Sequence, residues 1–322
     1  MVSLSDGARA YRGRFAPSPT GPLHFGSLVA ALASYLEARA QRGAWLVRME
    51  DLDPPREMPG AADHILRTLA AFGMESDEPV LYQSSRHAAY AEHWQWLREH
   101  AGLYACNCSR ASLRAAAGAG APGEAGSVYP GTCRRRPPAD ETDVAWRLPV
   151  DDVLIRFEDA VQGPQAQQLA REVGDFVLRR RDGLFAYQLA VVVDDAFQGI
   201  THVVRGSDLL ASTPRQIFLQ QRLGLPRPDY LHTPVATLAG GEKLSKQTGA
   251  RPVDPARASE TLHAALRFLG QPVPAELARA PLSALWDWAH GHWQAARIPR
   301  EMGRPAPPLF SGAPADMVQV PR

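Results

Sequence analysis

The strongest constraint in this sequence is a short strand that runs straight into a proline- and glycine-rich turn and then into an amphipathic helix. Arg12 to Ala16 has strand character, and Pro17-Ser18-Pro19-Thr20-Gly21-Pro22 supplies the turn. From Gly26-Ser27 onward, Leu28, Ala31, Leu32, Tyr35 and Leu36 recur at helical spacing and form one apolar face. Ala44 to Met49 is a second predicted strand. Asp63 to Phe72 is a second helix, burying Ile65, Leu66, Leu69 and Phe72 and stopped by Gly73. Strand, helix, strand and helix at this spacing predict an α/β fold with a parallel sheet and crossover connections. Such sheets bind ligands beyond the carboxyl ends of their strands, which is where the first turn lies.

Further along, Ser85 to Ala101 reads as a helix capped by serine and ended at Gly102. From Cys106 to Arg181 the pattern changes: Gly, Ala and Pro accumulate between Ala115 and Gly131, and no long periodic segment precedes Gln167. This stretch is expected to be an insertion with its own small fold. Ala186 to Asp194 and Gly199 to Val204 return to sheet-like sequence, Pro214 to Leu223 is helical, and Tyr230 to Leu238 is strand or extended loop. After Ala250 two helices are expected, one lined by Leu262, Leu266 and Leu269, the other by Leu282, Leu285, Trp286, Ala289 and Trp293. The tail from Pro299 onward is rich in proline and is expected to be loosely ordered. These breaks divide the chain into residues 1–105, 106–183, 184–250 and 251–322.

Composition narrows the function classes. A hydrophobic content of 45% and a charged content of 21% exclude a disordered chain. The longest nearly apolar stretches, Ser27 to Leu36 and Leu184 to Val193, are about half a membrane span. Met1 to Ala10 contains Asp6 and lacks an apolar core, so no secretory signal is expected, and three cysteines are too few for a disulfide scaffold. A cytoplasmic protein without a membrane partner is therefore expected. A net charge of +1 excludes a uniformly basic nucleic-acid coat. Local runs remain: Arg134-Arg135-Arg136 and Arg179-Arg180-Arg181 suit either phosphates of an RNA stem or a solvated face.

Two segments carry chemistry. Arg14 to Ser27 includes His24-Phe25-Gly26-Ser27 at the start of the first helix, where exposed backbone N–H groups favour an anion and an imidazole can add a donor. The second is Lys243-Leu244-Ser245-Lys246-Gln247, preceded by Gly240-Gly241. Of 35 basic residues only Lys243 and Lys246 are lysine, in a chain that otherwise uses arginine throughout. Two compact ammonium groups on a glycine-hinged loop suit charge developing on a polyphosphate.

Together these segments resemble the two signatures of class I aminoacyl-tRNA synthetases of the glutamyl type. His24-Phe25-Gly26-Ser27 stands where that family has HIGH, and Lys243 to Gln247 where it has KMSKS, in the right order. Phe25, Ser27, Leu244 and Gln247 depart from the consensus. The resemblance covers Arg12 to Ala250 and implies a split Rossmann fold with an inserted zinc-containing subdomain and a short C-terminal helical part. It implies an ATP site at His24, Gly26, Ser27, Lys243, Ser245 and Lys246, with His24, Lys243 and Lys246 acting in catalysis and Mg2+ accompanying ATP. Glutamate needs guanidinium forks for its carboxylates and an acid for its ammonium. The resemblance implies that Arg14, Phe15, Ala16, Pro17, Ser18, Glu50, Tyr187 and Arg205 form that pocket.

All three cysteines, Cys106, Cys108 and Cys133, fall within 28 residues of the insertion. Three thiolates need one more ligand for a tetrahedral zinc, and from the residues alone His100 or a water can supply it. In the short glutamyl-queuosine tRNA(Asp) synthetases, which the chain resembles most closely, a tyrosine matching Tyr129 is the fourth ligand of a structural zinc. Only 75 residues follow Gln247, too few for a second RNA-reading domain. The resemblance to the short family implies a monomeric ligase whose substrates are ATP, L-glutamate and queuosine-containing tRNA(Asp). Rival expectations are a truncated enzyme charging the tRNA 3′ end, a non-catalytic binding module, and a small-molecule nucleotidyltransferase. If Lys246 acts on the phosphates, Lys246→Ala slows glutamate-dependent pyrophosphate exchange by about a hundredfold while changing glutamate binding far less. An unchanged exchange rate rejects that role.

Overall fold

The computed structural model describes residues 9–109, 111–113, 128–245 and 249–311. Strand β1 (Arg12–Phe15) enters the predicted turn and leads to helix α1 (Phe25–Ala40). Strand β2 (Ala44–Met49) runs parallel to β1 with Arg12 opposite Ala44 and Phe15 opposite Val47. Helix α2 (Ala61–Ala71) then returns the chain to β3 (Leu81–Tyr82), parallel to β2. Helix α1 buries Phe25, Val29, Ala33 and Ala38 as well as the predicted face. It is sandwiched between the sheet and the C-terminal helices, so a single stripe does not describe it.

Helix α3 (His87–His100) lacks the expected serine cap, and a 3-10 turn over Gln83–Arg86 precedes it. The serines are engaged elsewhere: Ser84 Oγ donates to Asp51 Oδ2 (2.6 Å) and Ser85 Oγ to the Tyr82 carbonyl (2.6 Å). Beyond it, β4 (Tyr104–Cys106), β5 (Ala145–Leu148), the hairpin β6 (Leu154–Asp159) and β7 (Gly163–Gln168), and β8 (Phe176–Arg179) follow. β4, β5 and β8 form an antiparallel sheet of their own. The β6–β7 hairpin does not stay within it. Ile155, Phe157 and Asp159 face inward at alternate positions, and the end of β6 joins the sheet of the second half.

Ala186 to Asp194 is not a strand. It belongs to helix α4 (Tyr187–Phe197), which buries every residue from Gln188 to Asp195. An apolar run covered on all sides has no period by which strand and helix can be told apart. Strand β9 (His202–Gly206), helix α5 (Thr213–Leu223) and strand β10 (Asp229–Thr233) complete the second half, with β10 parallel to β9 and, at Tyr230, to Asp159 of β6. Thr201 N–H donates to the Arg12 carbonyl (2.9 Å) and Arg12 N–H to Thr201 Oγ1 (2.8 Å), which lays β9 beside β1. The strands therefore run 3-2-1-9-10-6, with a topological switch between β1 and β9, where doubly wound sheets open a crevice.

Strand β11 (Val235–Thr237), helices α6 (Ala258–Phe268) and α7 (Leu282–His292) and strand β12 (Gly303–Pro305) end the described chain. Leu262, Leu266, Leu269, Leu285, Ala289 and Trp293 are buried as expected. The tail up to residue 311 corrects the expectation of loose order. β12 pairs in parallel with β11, and Ala306 N–H donates to the Thr237 carbonyl (2.8 Å). Phe310 stacks on Phe25 with ring centroids 4.3 Å apart, and Phe268 meets Phe25 edge-on at 5.6 Å. Proline is tolerated here because β12 is a short edge strand that needs few ladder donors.

Candidate active site

The crevice at the switch point is a cleft of about 980 Å³. It is lined by Arg14, Phe15, Ala16, Pro17, Ser18, His24, Gly26, Ser27, Glu50, Tyr187, Arg205, Lys243 and Ser245. Every described residue expected at the amino-acid and nucleotide sites thus faces one space. Lys246 lies outside the described residues.

His24 is the N-cap of α1. Its Nδ1 accepts from the Ser27 N–H at 3.4 Å, and its Nε2 lies 3.1 Å from Ser27 Oγ. With Nδ1 as acceptor, a neutral ring carries its proton on Nε2, a donor above the first turn of the helix. Gly26 gives the ring room: a Cβ there would stand 3.2 Å from His24 Cε1 and 3.3 Å from Nδ1, a tight contact. On the opposite wall, Leu244 is buried and its N–H donates to the Ala236 carbonyl (2.8 Å), pinning the lysine loop to β11. Lys243 Nζ meets Asp208 Oδ2 at 2.5 Å. The Pro17 carbonyl accepts from Glu50 N–H (2.9 Å), which ties the turn to the end of β2.

The floor of the cleft is charged. Arg14 is 3% exposed, and its Nε and Nη2 donate to Asp195 at 3.2 and 3.4 Å. Arg48, wholly buried, donates to the same carboxylate at 2.8 Å, to Gln198 Oε1 at 2.9 Å and to Glu50 at 3.4 Å. Burial pushes the Asp195 carboxyl up, but Arg14 and Arg48 outweigh it and hold it below the usual range. Glu50 goes the other way: burial raises it despite Arg48 and Arg14. Across the cleft, Arg205 Nη1 donates to Tyr187 Oη (3.2 Å), Nη2 to Thr213 Oγ1 (2.9 Å) and Nε to His232 Nε2 (3.0 Å). Two guanidinium groups and a carboxylate thus converge from both halves of the sheet, a set matched to a zwitterion with a second negative charge.

Beside the antiparallel sheet the sulfur atoms of Cys106, Cys108 and Cys133 lie within 4.8 Å of one another. Tyr129 Oη is 3.5 Å from Cys106 Sγ and 3.9 Å from Cys108 Sγ, beneath the Arg147 guanidinium. A tetrahedral zinc with bonds of about 2.3 Å to sulfur separates its ligands by comparable distances, so the donor set fits. His100 stands apart from this cluster: its ring stacks on Trp96 and its Nδ1 faces the Trp96 carbonyl.

Residues 10–267 match the family model described as tRNA synthetases class I (E and Q), catalytic domain. A protein of Dechloromonas aromatica named glutamyl-Q tRNA(Asp) synthetase is 60% identical over 291 residues, 90% of this chain and 96% of that protein. The chain belongs to the glutamyl-Q tRNA(Asp) synthetase family. A relative of the same name from Pseudomonas aeruginosa is 55% identical over 90% of this chain and 96% of its own length. Among solved structures, glutamate-tRNA synthetase from Elizabethkingia anophelis superposes with a TM-score of 0.73 at 25% identity, covering 91% of this chain and 67% of that one.

Membership in the glutamyl-Q family does not by itself explain the polar supports that the sequence reading missed. Arg48, Asp159, Asp195, Asp208 and His232 all bond to side chains that line the cleft or to their immediate partners. Signals existed for two of them. Arg48 interrupts an apolar strand, and Asp195 follows directly on an apolar run that ends in Asp194. A charge inside such a run is rare unless paired. Removing Asp195 strands two buried arginines, so Asp195→Ala is expected to cost about 3–5 kcal/mol of stability. Urea unfolding of the variant measures this, and a loss under about 1 kcal/mol, the worth of an exposed pair, contradicts a buried triad.

Proposed function

We propose that this chain activates L-glutamate with ATP and transfers the glutamyl group to the queuosine base at the wobble position of tRNA(Asp), the activity named for its relatives. The observation that carries this reading is the single cleft, in which a helix N-terminus with its imidazole and a lysine loop flank two arginines, Tyr187 and a buried glutamate. In the first step an oxygen of the glutamate α-carboxylate attacks the α-phosphorus of ATP. A carboxyl–phosphate bond forms, the α–β bridging bond breaks, and pyrophosphate leaves. Glu50 holds the substrate ammonium, while Arg14, Arg205 and Tyr187 hold the side-chain carboxylate. His24 Nε2–H, the first turn of α1 and the lysines of the 243–247 loop stabilise the phosphate charge in place of water. Mg2+ bound with ATP supplies additional counter-charge to the phosphates. In the second step a hydroxyl of the queuosine cyclopentenediol attacks the activated carbonyl and AMP leaves, so no protein nucleophile is needed.

Cys106, Cys108, Cys133 and Tyr129 would hold a structural zinc, since together they fill a tetrahedral set and leave no position for substrate. A cytoplasmic monomer fits this reading. Among the described residues no helix is long and apolar enough to cross a membrane.

Labelled glutamate is expected to transfer to queuosine-containing tRNA(Asp) and not to the same tRNA lacking queuosine. Equal charging of both, or of tRNA(Glu) at its 3′ end, favours the truncated-synthetase alternative, and absence of adenylate formation favours a binding module. Elemental analysis is expected to find one zinc per chain, lost on Cys108→Ser together with part of the thermal stability. A metal-free protein that keeps its melting point and its activity refutes the zinc site.

A further inference from the structure

We propose that Asp159 and His232 are positioning residues for glutamate recognition: together they present an imidazole lone pair to Arg205 and so fix the guanidinium edge that faces the amino acid. The proposal rests on the reading that Arg205 meets the glutamate carboxylate. His232 sits on β10, and neither its side chain nor that of Asp159 is exposed. His232 Nδ1 lies 2.6 Å from Asp159 Oδ2. Arg205 Nε can only donate, so the 3.0 Å contact makes His232 Nε2 the acceptor and places the ring proton on Nδ1, against the carboxylate. Burial, with Arg205 adding to it, pushes the imidazole down to about 4, although Asp159 favours the charged form. Burial and Arg205 both point to the neutral ring, which the contact from Arg205 Nε also requires.

Asp159 is itself locked. Its Oδ1 accepts the N–H groups of Gln162 (2.8 Å), Val161 (3.1 Å) and His232 (3.2 Å). The arginine at the other end is held by Tyr187 of α4 and Thr213 of α5 as well as by His232. The order Asp159, His232, Arg205, Tyr187 thus runs from the inserted hairpin to the cleft. Packing alone does not call for it, because apolar residues of the same volume would fill this space without desolvating a carboxylate. What they would not supply is an acceptor aimed at Arg205 Nε. A carboxylate on one ring nitrogen fixes the tautomer and aims the other nitrogen at its partner.

The near-isosteric Asp159→Asn tests the idea. The amide oxygen still accepts the three backbone N–H groups, but the amide nitrogen donates toward Nδ1 and turns His232 to the Nε2–H tautomer, donor against donor at Arg205. The KM for glutamate in pyrophosphate exchange is expected to rise about tenfold or more, with kcat and the KM for ATP within about twofold. The 15N spectrum of His232 is expected to show the tautomer change. His232→Gln, whose Oε1 can still accept from Arg205, is expected to keep the glutamate KM within a few-fold of wild type, whereas His232→Leu raises it like Asp159→Asn. An unchanged glutamate KM in both Asp159→Asn and His232→Leu overturns the proposal, as does an equal loss in kcat for all three variants. A wild-type protein that does not exchange pyrophosphate with glutamate overturns the underlying functional reading instead.

Discussion

Asp195 is the interaction on which the rest depends. It stands on α4, in the second half of the split sheet, and accepts from Arg14 on β1 and Arg48 on β2 in the first half. One carboxylate therefore fastens the two halves across the switch point, and it does so at the floor of the cleft. The pairing also sets the character of the site. Two arginines at one carboxylate leave a net positive charge in a space from which water is largely excluded, where an anion is worth more than at the surface. Glu50 stands beside them at the cleft wall, where burial raises its carboxyl and Arg48 and Arg14 oppose the shift.

The frame of the fold was legible because period and punctuation agreed. Arg12–Phe15, Ala44–Met49 and the helices after them showed strand or helix spacing together with the expected Pro, Gly or cap residues. Helix α4 was misread because all-round burial erases the period that distinguishes the two structures. The C-terminal tail was misread because prolines suggest loose chain, although a short edge strand tolerates them. At the site, the residues of the two signatures and of the expected glutamate pocket were named from a family resemblance, and those that are described line one cleft. The supports Asp159, His232 and Asp208 were not, because each is brought to its partner by tertiary structure from 27 to 73 residues away in the chain.

Two of the four departures from the signature consensus, Phe25 and Leu244, have local reasons. Phe25 is large, and the space for it is made by Phe268 and Phe310, which close on it from the C-terminal region. Leu244 fills a buried position under the lysine loop, a role for which any flexible apolar side chain of that volume serves. The segment between the two parallel halves is likewise tied to the cleft. Its β6 strand ends in Asp159 and meets β10 there, while Arg180 beyond β8 pairs with Asp53 at the cleft wall (3.3 Å).

The stacking of Phe310 on Phe25 ties the turn that carries His24 to a residue 285 positions away in the sequence. One wall of that turn is therefore built from outside both signature segments. A chain stripped of residues 303–311 would keep both signatures and lose this wall, leaving the Phe25 ring bare on one side. The geometry of the cleft thus answers to an aromatic contact that neither signature contains.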